Sequence, residues 1–255
     1  MQVEATVEGG RFVSDRGTAE YGTVSAGGWV RPLGPLTVQL RVPLACNVLG
    51  GCGLADLGGG LGLRTHLAEG RLFLAAALVA GIPTGSEALG VGTGHLELVP
   101  TTEATWHLDR SWSLGAVASL NLAVGGHDHA HADGHGHGGE GDEAGAHLHS
   151  HAHGEAADAT HPPNPWPHGS EEVAGELHAT GHSGPWALRL STRVYLPLSD
   201  DGPGPLLQAR IEASRALSGG LRIAVSLAFP IAGTPRQDLV AGLRFSYTTD
   251  FGGAR

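Results

Sequence analysis

Apolar and polar residues alternate along most of this chain. Over residues 36–44, LTVQLRVPL, Leu36, Val38, Leu40, Val42 and Leu44 share one parity, and Thr37, Gln39, Arg41 and Pro43 share the other. A period of two places successive side chains on opposite faces of an extended strand. Residues 207–214 repeat the pattern, with Leu207, Ala209, Ile211 and Ala213 against Gln208, Arg210, Glu212 and Ser214. Residues 221–229 do the same. Residues 188–196 put Arg189, Ser191, Arg193 and Tyr195 on the polar face, and residues 239–247 put Arg244 and Ser246 there. Read throughout, the alternation predicts twelve strands, with cores at 3–12, 21–31, 36–44, 57–66, 72–82, 96–108, 112–124, 172–180, 188–196, 206–215, 221–229 and 239–247. Most are long enough for a tilted strand to cross a bilayer, which takes about 9–11 residues.

One stretch interrupts the pattern. Residues 127–168 read HDHAHADGHGHGGEGDEAGAHLHSHAHGEAADATHPPNPWPH, with eleven of the sixteen histidines, seven acids and no Arg. No apolar run in it could form a core. Residues 127–170 are therefore expected to be one long, disordered, solvated loop between two strands.

The connections sort by parity. Even-to-odd connections (RPLGP, LAEGR, LDRS, the stretch around GHSGP, and LSGG) are tight and rich in Gly, Pro or Asp. Odd-to-even connections, among them PTGSEALGVGTG and the histidine segment, are mostly longer. A soluble sandwich has no reason to sort its loops this way. An outer-membrane barrel has one, since its periplasmic turns are short and its extracellular loops long. With the N-terminus periplasmic, the histidine segment is extracellular. Trp106 and Trp112 flank one short turn, Trp29 and Trp186 lie near others, and Phe229 and Phe251 sit near strand ends, as an interfacial girdle requires. The expected fold is all-β: one antiparallel transmembrane β-barrel spanning residues 1–255.

Composition fits that picture. Gly numbers 42, charged residues are 16%, and every one of the fifteen basic residues is Arg. The net charge is −10, but outside the histidine segment 18 acids face 15 Arg. No basic patch is visible, so nucleic acid is not an expected partner. No apolar run reaches the length of a membrane-spanning helix, and a barrel leaves none. The chain opens Met-Gln-Val-Glu directly into a strand pattern without a secretory signal, as expected of a mature form with a start Met or of a truncated sequence.

GLADLGGGLGLR at 53–64, IPTGSEALGVGTGHLELVP at 82–100 and a strand ending in NLAVGG resemble the outer-membrane barrel family named for the MetA pathway of phenol degradation. The motifs that carry the resemblance are Ala55-Asp56, Pro83-Thr84-Gly85 and Gly92-Thr93-Gly94, and the likeness covers residues 53–126. It implies a bacterial outer-membrane barrel of transporter type and brings no catalytic residues. The histidine insert departs from the family pattern.

Three features could carry chemistry. His127, His129 and His131 form an H-x-H-x-H run, His135 and His137 follow, and His147, His149, His151 and His153 form a second run. In extended backbone, residues at i and i+2 point the same way, and two imidazoles can bend onto one ion. Neutral imidazole suits Zn, Cu, Ni and Co ions, and the neighbouring carboxylates can complete a shell. The alternative is a low-complexity loop with incidental metal affinity. No organic cofactor is expected. Cys46 and Cys52 are the only cysteines, bracket NVLGG in one proposed extracellular loop, and are expected to form a disulfide. Arg41, Arg64, Arg189, Arg193, Arg210, Arg222, Arg244, Glu97, Glu103 and Glu212 fall on the inward parity, as do Glu4, Glu8, Glu172 and Glu176. They read either as a self-neutralising filling or as a charged conduit that selects a solute. His66, His107 and His178 share that parity. Neither G-x-S-x-G nor H-E-x-x-H occurs, and no enzymatic activity is expected.

The expected function is a channel or transporter in the outer-membrane bilayer for a small solute, with a loop that captures divalent metal ions. A metal-independent channel for small aromatic or hydrophobic compounds is the first alternative. A metal-binding β-protein without transport is the second.

Overall fold

The computed structural model describes residues 1–14, 17–32, 34–47, 51–86, 89, 91–124, 171–198, 204–234 and 237–249. Its strands are β1 (Gln2–Ser14), β2 (Gly17–Val30), β3 (Leu36–Asn47), β4 (Gly51–Leu54), β5 (Leu57–Leu67), β6 (Leu72–Ile82), β7 (Leu96–His107), β8 (Trp112–Val124), β9 (Glu172–Ser183), β10 (Trp186–Pro197), β11 (Leu206–Ala216), β12 (Leu221–Gly233) and β13 (Gln237–Thr248). Twelve long strands form a closed antiparallel barrel. Each pairs with its chain neighbour, β2 pairs with β3, and β1 pairs with β13. At the seam the Met1 ammonium donates to the Thr249 carbonyl at 2.9 Å. Closure pairs each of the twelve long strands on both sides, the condition for crossing hydrocarbon with sheet.

A short thirteenth strand, β4, adds to the twelve expected strands, all of which form the barrel. The chain after β3 doubles back as β4, pairing Leu44 with Leu54 and Asn47 with Gly51. Below it β5 takes over the same edge of β3, from Leu36↔Leu63 to Arg41↔Gly58. Cys46 and Cys52 are therefore a cross-strand pair in a β-hairpin rather than loop residues, and they are joined by a disulfide. Strands also run past their sequence-predicted ends, β2 starting at Gly17 and β9 ending at Ser183. Backbone pairing continues after the apolar alternation fades.

Burial is inverted relative to a soluble domain. Leu177 is 67% exposed and Leu40 61%, whereas Thr23 is 6% and Ser25 7%. The apolar parity faces outward, with Val3, Val7, Val24, Leu61, Leu63, Leu78, Leu190 and Val225 all exposed. Such a surface is stable against lipid rather than water. Trp106, Trp112 and Trp186 are exposed at the end of the barrel that carries the short turns. Trp29 is not part of that girdle. Its partner across the sheet is Gln39, and the Arg64 guanidinium lies 4.5 Å from its ring centroid, on the inner face. Among the described residues no helix is long and apolar enough to cross a membrane.

Candidate functional site: the lumen and its rim

The inner face is small and polar where strands approach one another. Ser113, Ser191, Ser214 and Ser226 are buried inside, with Thr37 and Gln208. The charged side chains rise above this layer. The Arg189 guanidinium meets Glu176 at 2.5 Å, and Arg244 meets Glu212 at 2.5 Å. Arg210 lies 3.7 Å from the other Glu212 oxygen and donates to the Ser226 hydroxyl at 2.9 Å. Glu212 thus holds two arginines, as far as the register allows: Glu212 opposes Ser226, and Ala224 on the same strand opposes Arg244.

His178 is packed under this network. Arg189 donates to its Nδ1 at 3.1 Å. A guanidinium can only donate, so Nδ1 accepts and the imidazole proton sits on Nε2. Gly115 opposes His178 across β8 and β9, and a Cβ there would collide with the imidazole and lie 2.7 Å from the Thr105 hydroxyl oxygen. Glycine at 115 is therefore what lets the ring lie flat against the wall.

All ten sequence-predicted lumen residues lie on the inward register. Arg189, Arg210, Glu212 and Arg244 are joined in ion pairs. Arg64 stacks on Trp29 and is within electrostatic reach of Glu103. Arg193 lies over the Tyr195 ring at 5.0 Å. Arg41, Arg222 and Glu97 enter no ion pair among the described residues. Of the three single histidines, His66 tilts against Phe73 with ring centroids 5.2 Å apart, His107 is exposed, and His178 is buried.

Tyr21 escaped the sequence reading. It is 5% exposed, opposes Gly10, and covers it, since a Cβ on Gly10 would lie 3.2 Å from its hydroxyl and ring. An aromatic on the polar parity beside a glycine on the neighbouring strand was the available signal.

The rim opposite the short turns is organised by Asp56. Its Oδ1 accepts the Gly85 amide at 2.8 Å, and its Oδ2 accepts the Thr93 amide at 2.7 Å and the Thr93 hydroxyl at 2.6 Å. Thr84 Oγ1 accepts the Leu57 amide and donates to the Ala55 carbonyl. Gly85 and Gly92 touch through their backbones, so closely that a Cβ on either would collide with the other. Val91, Ala55 and Ala45 close over this point as a small apolar core. The three short motifs at 55–56, 83–85 and 92–94 thus meet at one point, folding the β6–β7 connection onto the strand ends.

The nine histidines at 127, 129, 131, 135, 137, 147, 149, 151 and 153 lie outside the described residues, as does the rest of the 127–170 segment. Among the described residues no group of three or more His, Cys, Asp or Glu side chains is placed to hold a metal ion.

The class that this architecture defines is the closed antiparallel β-barrel with an apolar exterior, the outer-membrane type of fold. No family model matches the chain, and no curated protein matches it by sequence. Solved structures match its fold. The COG4313 outer membrane channel from Pseudomonas putida F1 superposes with a TM-score of 0.64 at 13% identity, over 96% of this chain and 94% of that one. The NanC porin follows at 0.58 and 6% identity, over 97% and 100%. The KdgM porin follows at 0.55 and 6% identity, over 98% and 100%. The likeness is one of fold, and it extends over the whole barrel.

Proposed function

We propose that this protein is a channel or transporter of the bacterial outer membrane that passes a small solute, and that its histidine segment captures divalent transition metal ions at one mouth. The observation that carries the channel reading is the inverted wall: apolar side chains face outward, and charges of both signs face a lumen. The metal reading rests on the two H-x-H runs, whose donors suit Zn, Ni, Co or Cu. Strands β8 and β9 are antiparallel neighbours, so the chain leaves at Val124 and returns at Glu172 on the same rim. Metal bound there would be concentrated at an entrance. No reaction is assigned to the protein.

One observation favours a metal-independent route for small organic compounds. Phe73, Ala75, Ala77 and Val79 of β6, with Val99 beside Val79 in β7, put an apolar strip on the inner face. Flux into liposomes separates the two readings, with a panel of divalent metals and of small aromatics as solutes. Deleting residues 128–155 should abolish metal binding in calorimetry and leave the thermal transition of the barrel in place. Ligation needs neutral imidazole, with an unperturbed pKa of about 6.5, so affinity should fall as pH drops from about 7 to 5. Unchanged metal stoichiometry in the deletion would refute capture by the segment.

A further inference from the structure

We propose that the short-turn end of the lumen holds a binding site for a small zwitterion, with its carboxylate toward Arg222 and its ammonium toward Glu4. A cavity of about 490 Å³ lies there, walled by Gln2, Glu4, Arg222, Arg244, Ser246 and Thr248. Arg222, Ser246 and Glu4 form one row across three adjacent strands, because Arg222 opposes Ser246 and Ser246 opposes Glu4. Two interstrand steps of about 4.8 Å separate the backbones of the two charged residues by roughly 10 Å. Both side chains point into the same chamber.

Their partners are weak. Arg222 donates to the Ser214 hydroxyl at 3.3 Å and makes no ion pair among the described residues. Glu4 accepts from the Thr6 hydroxyl at 3.4 Å and likewise makes none. Arg244, on the same wall, is paired with Glu212, which it shares with Arg210. The chamber therefore presents a cation, Arg222, and an anion, Glu4, that have no ion-pair partner among the described residues, with Ser246 between them in the row. A simple carboxylate would satisfy Arg222 and be repelled by Glu4. A simple ammonium would meet the reverse. A solute carrying both groups a few bonds apart, of the size of a small amino acid, satisfies both at once.

The inference deepens the channel reading, from which it takes only that the lumen admits water and solute. The test is calorimetry on the detergent-solubilised full chain with glycine and β-alanine, against acetate and methylammonium. The zwitterions should bind about tenfold tighter than either singly charged probe, the scale of one charge-assisted hydrogen bond. Arg222→Gln and Glu4→Gln should each remove that preference. The double variant carrying Glu4→Arg and Arg222→Glu should regain it with the ligand reversed. The comparison of the four probes on the unaltered protein decides the matter even where a variant does not fold. Glycine binding no tighter than acetate, or a preference that survives Arg222→Gln, would overturn the proposal. Ion conductance in planar bilayers is measured separately. A conducting barrel without the preference keeps the channel and loses the site. A non-conducting barrel with the preference keeps the site and loses the channel.

Discussion

Replacing Asp56 with Asn should release the β6–β7 connection from the rim without unfolding the barrel. The wild-type carboxylate accepts from three donors: the amides of Gly85 and Thr93 and the Thr93 hydroxyl. Asn keeps one acceptor oxygen and exchanges the other for an amide that can only donate. The Thr93 hydroxyl can adapt, since it also lies 2.9 Å from the His95 carbonyl oxygen. The backbone donors cannot, so the Gly85 or the Thr93 amide is left facing an NH₂ group. An unsatisfied donor costs about 1–3 kcal/mol, and the half-buried setting points to the lower part of that range. The local opening equilibrium should then shift by roughly 5- to 30-fold. Hydrogen–deuterium exchange reads this directly. The Gly85 and Thr93 amides should exchange faster by that factor, while amides in the middle of β6 and β7 keep their protection. Asp56→Ala removes all three acceptor contacts and should exceed the Asn effect. Unchanged exchange at both amides in Asp56→Asn would refute the clamp.

Other perturbations test the wall itself. Leu177→Arg places a charge on the outward parity of β9, where exposure is 67%, and should cost about 2–4 kcal/mol in urea unfolding from lipid vesicles if the residue sits near the bilayer midplane; a neutral effect would contradict a lipid-facing surface. Gly115→Ala drives a methyl into the His178 imidazole and should cost about 1–3 kcal/mol in the same assay. Combining it with His178→Ala should recover much of that loss, and additive costs would refute the contact. Cys46 and Cys52 should resist alkylation until reduced, and opening their seven-residue loop should lower stability by about 2 kcal/mol in the chain-entropy model; ready labelling of the unreduced protein would count against the bridge.

Much of the wall was legible because alternation is a property of the local backbone. In an extended chain, parity alone decides which face a side chain takes, so Arg189, Arg193, Arg210, Arg222 and Arg244 could be assigned to one face before any strand was paired. Closure was legible less directly. An unbroken apolar parity on strand after strand demands a nonaqueous exterior, and tight turns on every second connection demand up-and-down order. Strand ends were less visible, because pairing outlasts the apolar pattern at Gly17 and Ser183.

What parity cannot supply is the partner across the strand or across the loop. The Glu212 pairing with Arg244 depends on the register of β11, β12 and β13, and a shift of two residues preserves every face while breaking that pair. Trp29 looked like a girdle residue from its place near a turn, but it faces inward, and only the register shows that Arg64 of β5 stacks on it there. Asp56 reaches Gly85 and Thr93, 29 and 37 residues away, because a hairpin and two long strands return the chain to the same rim. Glu4 and Arg222 come to share one chamber only because the first and last strands pair. Faces follow from the two-residue repeat of the chain itself. Neighbours follow from interstrand hydrogen bonds between distant segments, which form only when the sheet closes.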